Sequence, residues 1–209
     1  MQRSACYYLY LCYFTGLVGF MYPFYPNFPS LTPMNLWMSV TIMLFFHPQW
    51  TWHSVVIVLA SFGGGWFAEM LGVNTGLIFG HYRYGTAMGF QILNTPIVAG
   101  TLWLILNYAT TTLLMQAFPT RHWLQRAFIG ALLMLSLDIL IEPIAIHYGF
   151  WIWDGNIVPL QNYIGWFFVG FLLQVFAHKL QPNFNNRVAI ELLILQFLFF
   201  GVLNFYLAW

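Results

Sequence analysis

Charge is what this sequence has least of. Six lysines and arginines and five aspartates and glutamates are spread over 209 residues, so 5% of the chain is charged, where a soluble domain carries about 25%. Too little polar surface exists to cover a globule in water. With 61% apolar and 21% aromatic residues, the composition is suited to lipid as its solvent. A formal net charge of +1 with no basic cluster excludes nucleic acid as a partner. Cysteine is scarce as well: Cys6 and Cys12 lie in the first apolar run, which excludes a disulfide framework. No CxxC or HExxH pattern is present, so no metal site is expected. Repeats, low-complexity tracts and linkers are also missing, and residues 1–209 read as a single integral membrane domain.

Long apolar runs fill the space. A membrane helix needs about 20 mainly apolar residues, and seven segments qualify, at approximately 5–22, 31–46, 53–71, 91–116, 124–146, 161–178 and 188–207. The first has a signal-peptide look, with Arg3 ahead of it, but it is rich in tyrosine and is followed by Pro23 and Pro26 instead of a small-residue cleavage site. It is read as a membrane helix. The second is the weakest, being short and beginning near Pro33. An all-α, seven-helix membrane bundle is the expected fold. Counting seven crossings puts Arg3, Arg121, Arg126, Lys179 and Arg187 on one side and Arg83 alone on the other. The positive-inside rule then places the N-terminus in the cytoplasm. Gly63-Gly64-Gly65 in the third span permits close helix approach or local bending.

Four of the five acidic residues gather toward the non-cytoplasmic end. Glu69 ends span three, Asp138 and Glu142 occupy the outer half of span five, and Asp154 follows in the next loop. Glu191 is the exception, at the start of span seven with Arg187 four residues before it. Asp138 and Glu142 are also four apart, so both carboxyl groups share a helix face. Ionisable groups inside a span mark a functional site, and a pair at this spacing suits one protonated acid beside one carboxylate. Pro143 is expected to kink the helix there. His147, five residues beyond Glu142, is not on a shared face with it. The segment "EMLGVNTGLIFGHYRYG" joins spans three and four. Its glycines allow it to fold back into the bundle mouth as a re-entrant-like loop, bringing Asn74, Thr75, His81 and Arg83 toward the acids. "GFWIWDGNIVPLQNYIGWF" adds tryptophans, Asn156, Gln161 and Asn162 on the same side.

"FAEMLGVNTGLIFGHYRYG" together with "LDILIEPIAIHYGFWIWDG…VPLQNYIGWFFVG" resembles the carotenoid biosynthesis membrane protein family, which includes carotenoid 1,2-hydratases (gamma-carotene 1'-hydroxylases) and bisanhydrobacterioruberin hydratase. The likeness covers residues 60–175 well and the whole chain in span pattern. The first family block corresponds to Glu69, Gly72, Thr75-Gly76 and Phe79-Gly80, followed by Tyr82 and Tyr84. The second corresponds to Asp138, Glu142-Pro143, Trp151, Trp153, Asn162 and Gly165-Trp166. The chain departs from the pattern at Glu142, where aspartate is frequent, and at Leu77-Ile78, where a proline is expected.

The resemblance implies addition of water across the terminal C1–C2 double bond of an acyclic carotenoid end. Protonation would leave a tertiary carbocation that water captures, and no cofactor is needed. Such chemistry asks for a positioned acid, negative or aromatic faces around the cation and a held water. Asp138 or Glu142 is the expected proton donor, the other tuning it or orienting water, with Glu69 and Asp154 stabilising the cation or activating the water. His81, Tyr82, Arg83, Tyr84, Asn74, Thr75 and Asn162 form the expected supporting network. Trp66, Phe79, Trp151, Trp153 and Trp166 are the expected binding surface. The implied partners are gamma-carotene or lycopene, water, membrane lipid and other carotenoid-pathway enzymes, with the bacterial cytoplasmic membrane as location. The alternatives are an end-group cyclase and a non-enzymatic carotenoid-binding protein.

Overall fold

The computed structural model describes residues 2–22, 25, 27–180 and 184–208; Pro23 and Pro26 lie outside the described residues. The described chain is an all-α bundle of α1 (Gln2–Met21), α2 (Thr32–Phe45), α3 (Trp52–Thr75), α4 (Ile97–Ala117), α5 (Trp123–His147), α6 (Leu160–Leu180) and α7 (Arg187–Leu207). Six of these are long and apolar enough to cross a membrane. The 14 residues of α2 rise about 21 Å, short of the roughly 30 Å hydrocarbon core.

Local signals set the ends of the helices. Thr51 and Ser54 form a reciprocal capping box at the start of α3, and Gly76 stops the helix with a φ of 68°. Asn186 caps α7 through the Ala189 N–H. The helix α4 starts at Ile97 rather than at position 91, because Gln91–Ile92 (β2) and Thr95–Pro96 (β3) pair first as a small hairpin. Pro143 does not interrupt α5, which is helical through His147. Its missing N–H lies on the exposed side of the helix, away from the packed seam.

Helix directions follow from contacts between distant ends. Tyr148, after α5, donates to the carbonyl of Phe20 near the end of α1 at 2.7 Å. At the other end, Asn186 before α7 donates to the carbonyl of Met43 in α2 at 2.8 Å. His47 and Tyr108, from the α2 and α4 sides, meet there at 2.6 Å. The ends of α1, α3 and α5 therefore share one face of the bundle with the start of α6. α4 is the axial helix, with 15 of its 21 residues buried. The surrounding helices turn Phe14, Phe67, Leu132, Phe168 and Leu198 outward, a belt that only lipid covers without penalty.

Small residues and amides bind the interior. A Cβ added at Gly65 would lie 2.3 Å from the Trp103 side chain, so one glycine of the triplet supplies the close α3–α4 approach. Asn107 donates to Ser61 at 2.8 Å, and Gln174 reaches the Asn107 carbonyl at 3.2 Å, joining α3, α4 and α6 by interhelical hydrogen bonds. Replacing Gly65 by alanine is expected to destabilise the detergent-solubilised protein by about 1–3 kcal/mol through overpacking, read as a lowered thermal midpoint. A Gly63→Ala variant, where the added carbon meets nothing within 4 Å, should leave the midpoint unchanged.

Candidate functional site

Two buried glutamates face each other across one end of the bundle. Glu69, in the penultimate turn of α3, is 5% exposed. Its Oε2 accepts from the hydroxyls of Tyr82 at 2.5 Å and Tyr84 at 2.7 Å, and its Oε1 accepts from the Trp103 indole at 2.8 Å. Glu142, in the last turns of α5, is 2% exposed. Its Oε2 accepts from the indoles of Trp151 at 3.0 Å and Trp153 at 2.9 Å, and its Oε1 from Asn162 at 3.1 Å. Every donor to these two carboxylates is neutral. The ion pair found among the described residues, Arg187–Glu191 at 3.2 Å, sits at the opposite end.

The tyrosines and tryptophans are delivered by a two-stranded ribbon. Tyr82–Tyr84 (β1) pairs antiparallel with Trp151–Trp153 (β4), matching Tyr82 to Trp153 and Tyr84 to Trp151. Side chains alternate along a strand, so these four aromatic residues point inward while Arg83 and Ile152 take the other face. Ring contacts of 4.9 Å for Tyr82–Trp153 and 6.1 Å for Tyr84–Trp151 stiffen the cross-strand pairs. The segment leading into β1 passes close to the helices because Gly72 and Gly165 flank Phe79; a Cβ on either would come within 3.0 Å of its ring. Trp103 and Trp166 stack at 4.0 Å beneath the carboxylates.

Between the two glutamates is a void of about 20 Å³, lined by both carboxyl groups, Tyr82, Tyr84 and the rings of Phe79, Trp151, Trp153 and Trp166, with Asn162. That volume holds about one water. Met88, Leu102 and Trp151 line this void and also a second, larger cavity of about 370 Å³ among α1, α2 and α7. Among the described residues, the larger cavity has no Asp, Glu, Lys, Arg or His in its wall.

Asp138 is placed differently from its helix neighbour. It is fully buried, and its Oδ2 accepts from the same Asn162 amide at 3.0 Å, while its Oδ1 has no hydrogen-bond partner. It does not line the void. Asn162 thus bridges Asp138 and Glu142 and leaves only Glu142 facing the open space.

Several expected site residues are not brought together here. Asp154 is exposed, as its backbone N–H binds the His81 carbonyl at 3.1 Å and the chain turns outward through Gly155. His81 and Arg83 are exposed on the outer face of the ribbon, and His147 at the end of α5. Asn74 and Thr75 belong to the last turn of α3 instead of a loop. Asn74 pins the β2–β3 hairpin through the Leu93 carbonyl at 2.8 Å and Asn94 at 2.9 Å; Thr75 bonds to the Leu71 carbonyl at 2.5 Å. Trp66 is half-buried outside the void, with its indole N–H unpartnered. Among the described residues, no three of His, Cys, Asp and Glu converge in a metal-ligating group. Sequence reasoning missed Trp103, which reads as one more apolar core residue in its run. It also missed the α1–α2–α7 cavity.

Burial and the neighbouring Glu69 charge hold both ribbon tyrosines well above the usual phenol range, so they remain donors. Because the raised values favour the neutral phenols in the fold, their contribution is complete below about pH 10 and is lost as pH rises through the folded values. Alkaline titration should show no phenolate absorbance from Tyr82 and Tyr84 until unfolding, measured against a Tyr82→Phe, Tyr84→Phe double variant. Two phenols ionising near pH 10 in folded protein would contradict this arrangement.

The geometry defines a class: a membrane-spanning helix bundle with a carboxylate pair enclosed by aromatic rings beneath one end. The family model for carotenoid biosynthesis proteins matches residues 32–209, and the chain belongs to that family. A bisanhydrobacterioruberin hydratase from Haloarcula japonica is 30% identical over 122 residues, covering 56% of this chain and 40% of the relative. The alignment thus spans well under half of that protein. No solved structure matches.

Proposed function

We propose that this protein adds water to the terminal C1–C2 double bond of an acyclic carotenoid end group. The observation that carries the reading is the one-water void between Glu69 and Glu142, walled by aromatic rings and bordering an apolar cavity across Met88, Leu102 and Trp151. Glu142 is the proton donor, passing its proton to C2. The positive charge at C1 is met by the Glu69 carboxylate and by the faces of Trp151, Trp153 and Trp166. Water in the void attacks C1, and Glu69 takes the proton that this water loses. A second water then carries that proton back from Glu69 to Glu142, so the net change is one water added to one double bond.

In this scheme Glu69 serves as the carboxylate, its oxygens accepting from Tyr82, Tyr84 and Trp103. Asp138 positions Asn162, and through it Glu142, without touching substrate. Asp154, His81, Arg83, Asn74 and Thr75 keep the loops around the site in place. The chain acts as one carotenoid-modifying unit needing no cofactor, in the bacterial cytoplasmic membrane. Seven crossings with a cytoplasmic N-terminus put the glutamates at the non-cytoplasmic end, in line with the basic residues collecting at the other. Gamma-carotene and lycopene carry the required end group.

Expression in cells that make lycopene and gamma-carotene, followed by chromatography and mass measurement, tests the reading. A product heavier by one water supports hydration. Unchanged mass with shifted absorption would point to a cyclase, which shares the first protonation, and unaltered pigment bound to the protein would point to a carrier.

A further inference from the structure

The apolar cavity among α1, α2 and α7 has no role in the chemistry above, yet it adjoins the glutamate void. Its wall follows α1 from Tyr8 to Phe20, a stretch that rises about 18 Å. Its inner end borders the void at Met88, Leu102 and Trp151, the three residues that line both. An occupant must therefore be long, narrow, uncharged and able to present one tip to Glu69 and Glu142.

One wall also has a separate standing in the sequence. Seven of the 22 lining residues come from α1, and α1 (Gln2–Met21) lies entirely outside the matched residues 32–209. The acid-bearing end lies within the matched residues, whereas the α1 side of this wall lies outside them.

The geometry points to the α1–α2–α7 cavity as the binding groove for the hydrocarbon tail of the substrate, with α1 selecting which chains are accepted. This rests on the hydration reading for the identity of the tip, and it assigns the remainder of the molecule. Gly16 is the specificity-determining position. It lines the groove in the last third of α1, and a Cβ there would meet Phe199 at 3.2 Å. A larger side chain at Gly16 narrows the groove without reaching the void. Met34 of α2 lines the same groove and is 63% exposed, so enlarging it also obstructs the groove without disturbing the packed interior.

The test uses the full chain in detergent, comparing Gly16→Leu, Met34→Trp and, as control, Phe14→Leu, which alters an exposed α1 residue outside the groove. Binding of lycopene and of a short isoprenoid hydrocarbon with the same end group is measured by calorimetric titration, after size-exclusion and thermal checks of folding. Gly16→Leu and Met34→Trp should weaken lycopene binding by at least about tenfold while leaving the short ligand within about twofold, with Phe14→Leu unchanged. If Gly16→Leu does not fold, Met34→Trp decides alone. Lycopene bound at wild-type strength by a folded groove variant, or equal loss of both ligands, would overturn the assignment. Wild-type protein that binds lycopene in the groove but makes no hydrated product refutes the hydration reading and leaves the groove standing.

Discussion

Glu142→Gln should abolish hydration, with the turnover falling by about a thousandfold, within the 10²–10⁴ range that a positioned acid contributes. The substitution keeps the shape of the side chain. Its amide oxygen still accepts from the Trp151 and Trp153 indoles, while its NH₂ is set against the Asn162 NH₂ that also holds Asp138, a single mismatch of about 1–3 kcal/mol that leaves the other contacts in place. Folding and polyene binding should therefore survive, and the loss should lie in kcat rather than in affinity. Asp138→Asn is the comparison that separates the two acids of α5. Asp138 reaches the site only through Asn162, so its loss should cost far less and should shift the pH profile instead of removing the acid limb. A near wild-type rate in Glu142→Gln with a thousandfold loss in Asp138→Asn would reverse the assignment.

Glu69→Gln should lower turnover by about a hundredfold or more, the scale of removing an aligned charge-stabilising group. Two functions disappear together, the negative charge facing the cation and the base that accepts the proton from water. The variant also sets an amide against the Trp103 indole N–H or the tyrosine hydroxyls, an unmatched buried donor costing about 1–3 kcal/mol. Adding Trp103→Phe removes the indole donor and should recover thermal stability without recovering turnover. If turnover returned with stability, Glu69 would be structural. The readouts are product formed per folded protein and the thermal midpoint of the single and double variants.

Much of this arrangement is legible in the sequence. Long apolar runs located the six long helices, and their alternating direction brought Glu69 and Glu142 to one end. Asp138 and Glu142, four apart, share a buried helix face, but the spacing could not say which of them meets open space. Asn162 decides that, and it comes from another helix. The ribbon was missed although its signal was present: Tyr-Arg-Tyr and Trp-Ile-Trp alternate with period two, and three residues are too few to stand out beside twenty-residue helices. That register also sends Arg83 outward, against the expectation that polarity alone would draw it to the acids. Asp154 follows the same logic, one residue past the last inward tryptophan. Trp103 could not be singled out, because its indole N–H matters only once Gly65 lets α4 approach α3. The groove depends on three helices far apart in sequence, so no local pattern announces it.

The central claim is that oxygen from water ends on the end-group carbon of the carotenoid. Purified protein incubated with lycopene in water enriched in heavy oxygen tests it most directly, with the product examined by mass spectrometry. The account predicts a tertiary alcohol carrying one heavy oxygen per hydrated end, formed by wild type and lost in Glu142→Gln. A product of unchanged mass, or one whose oxygen does not come from the labelled water, would contradict it.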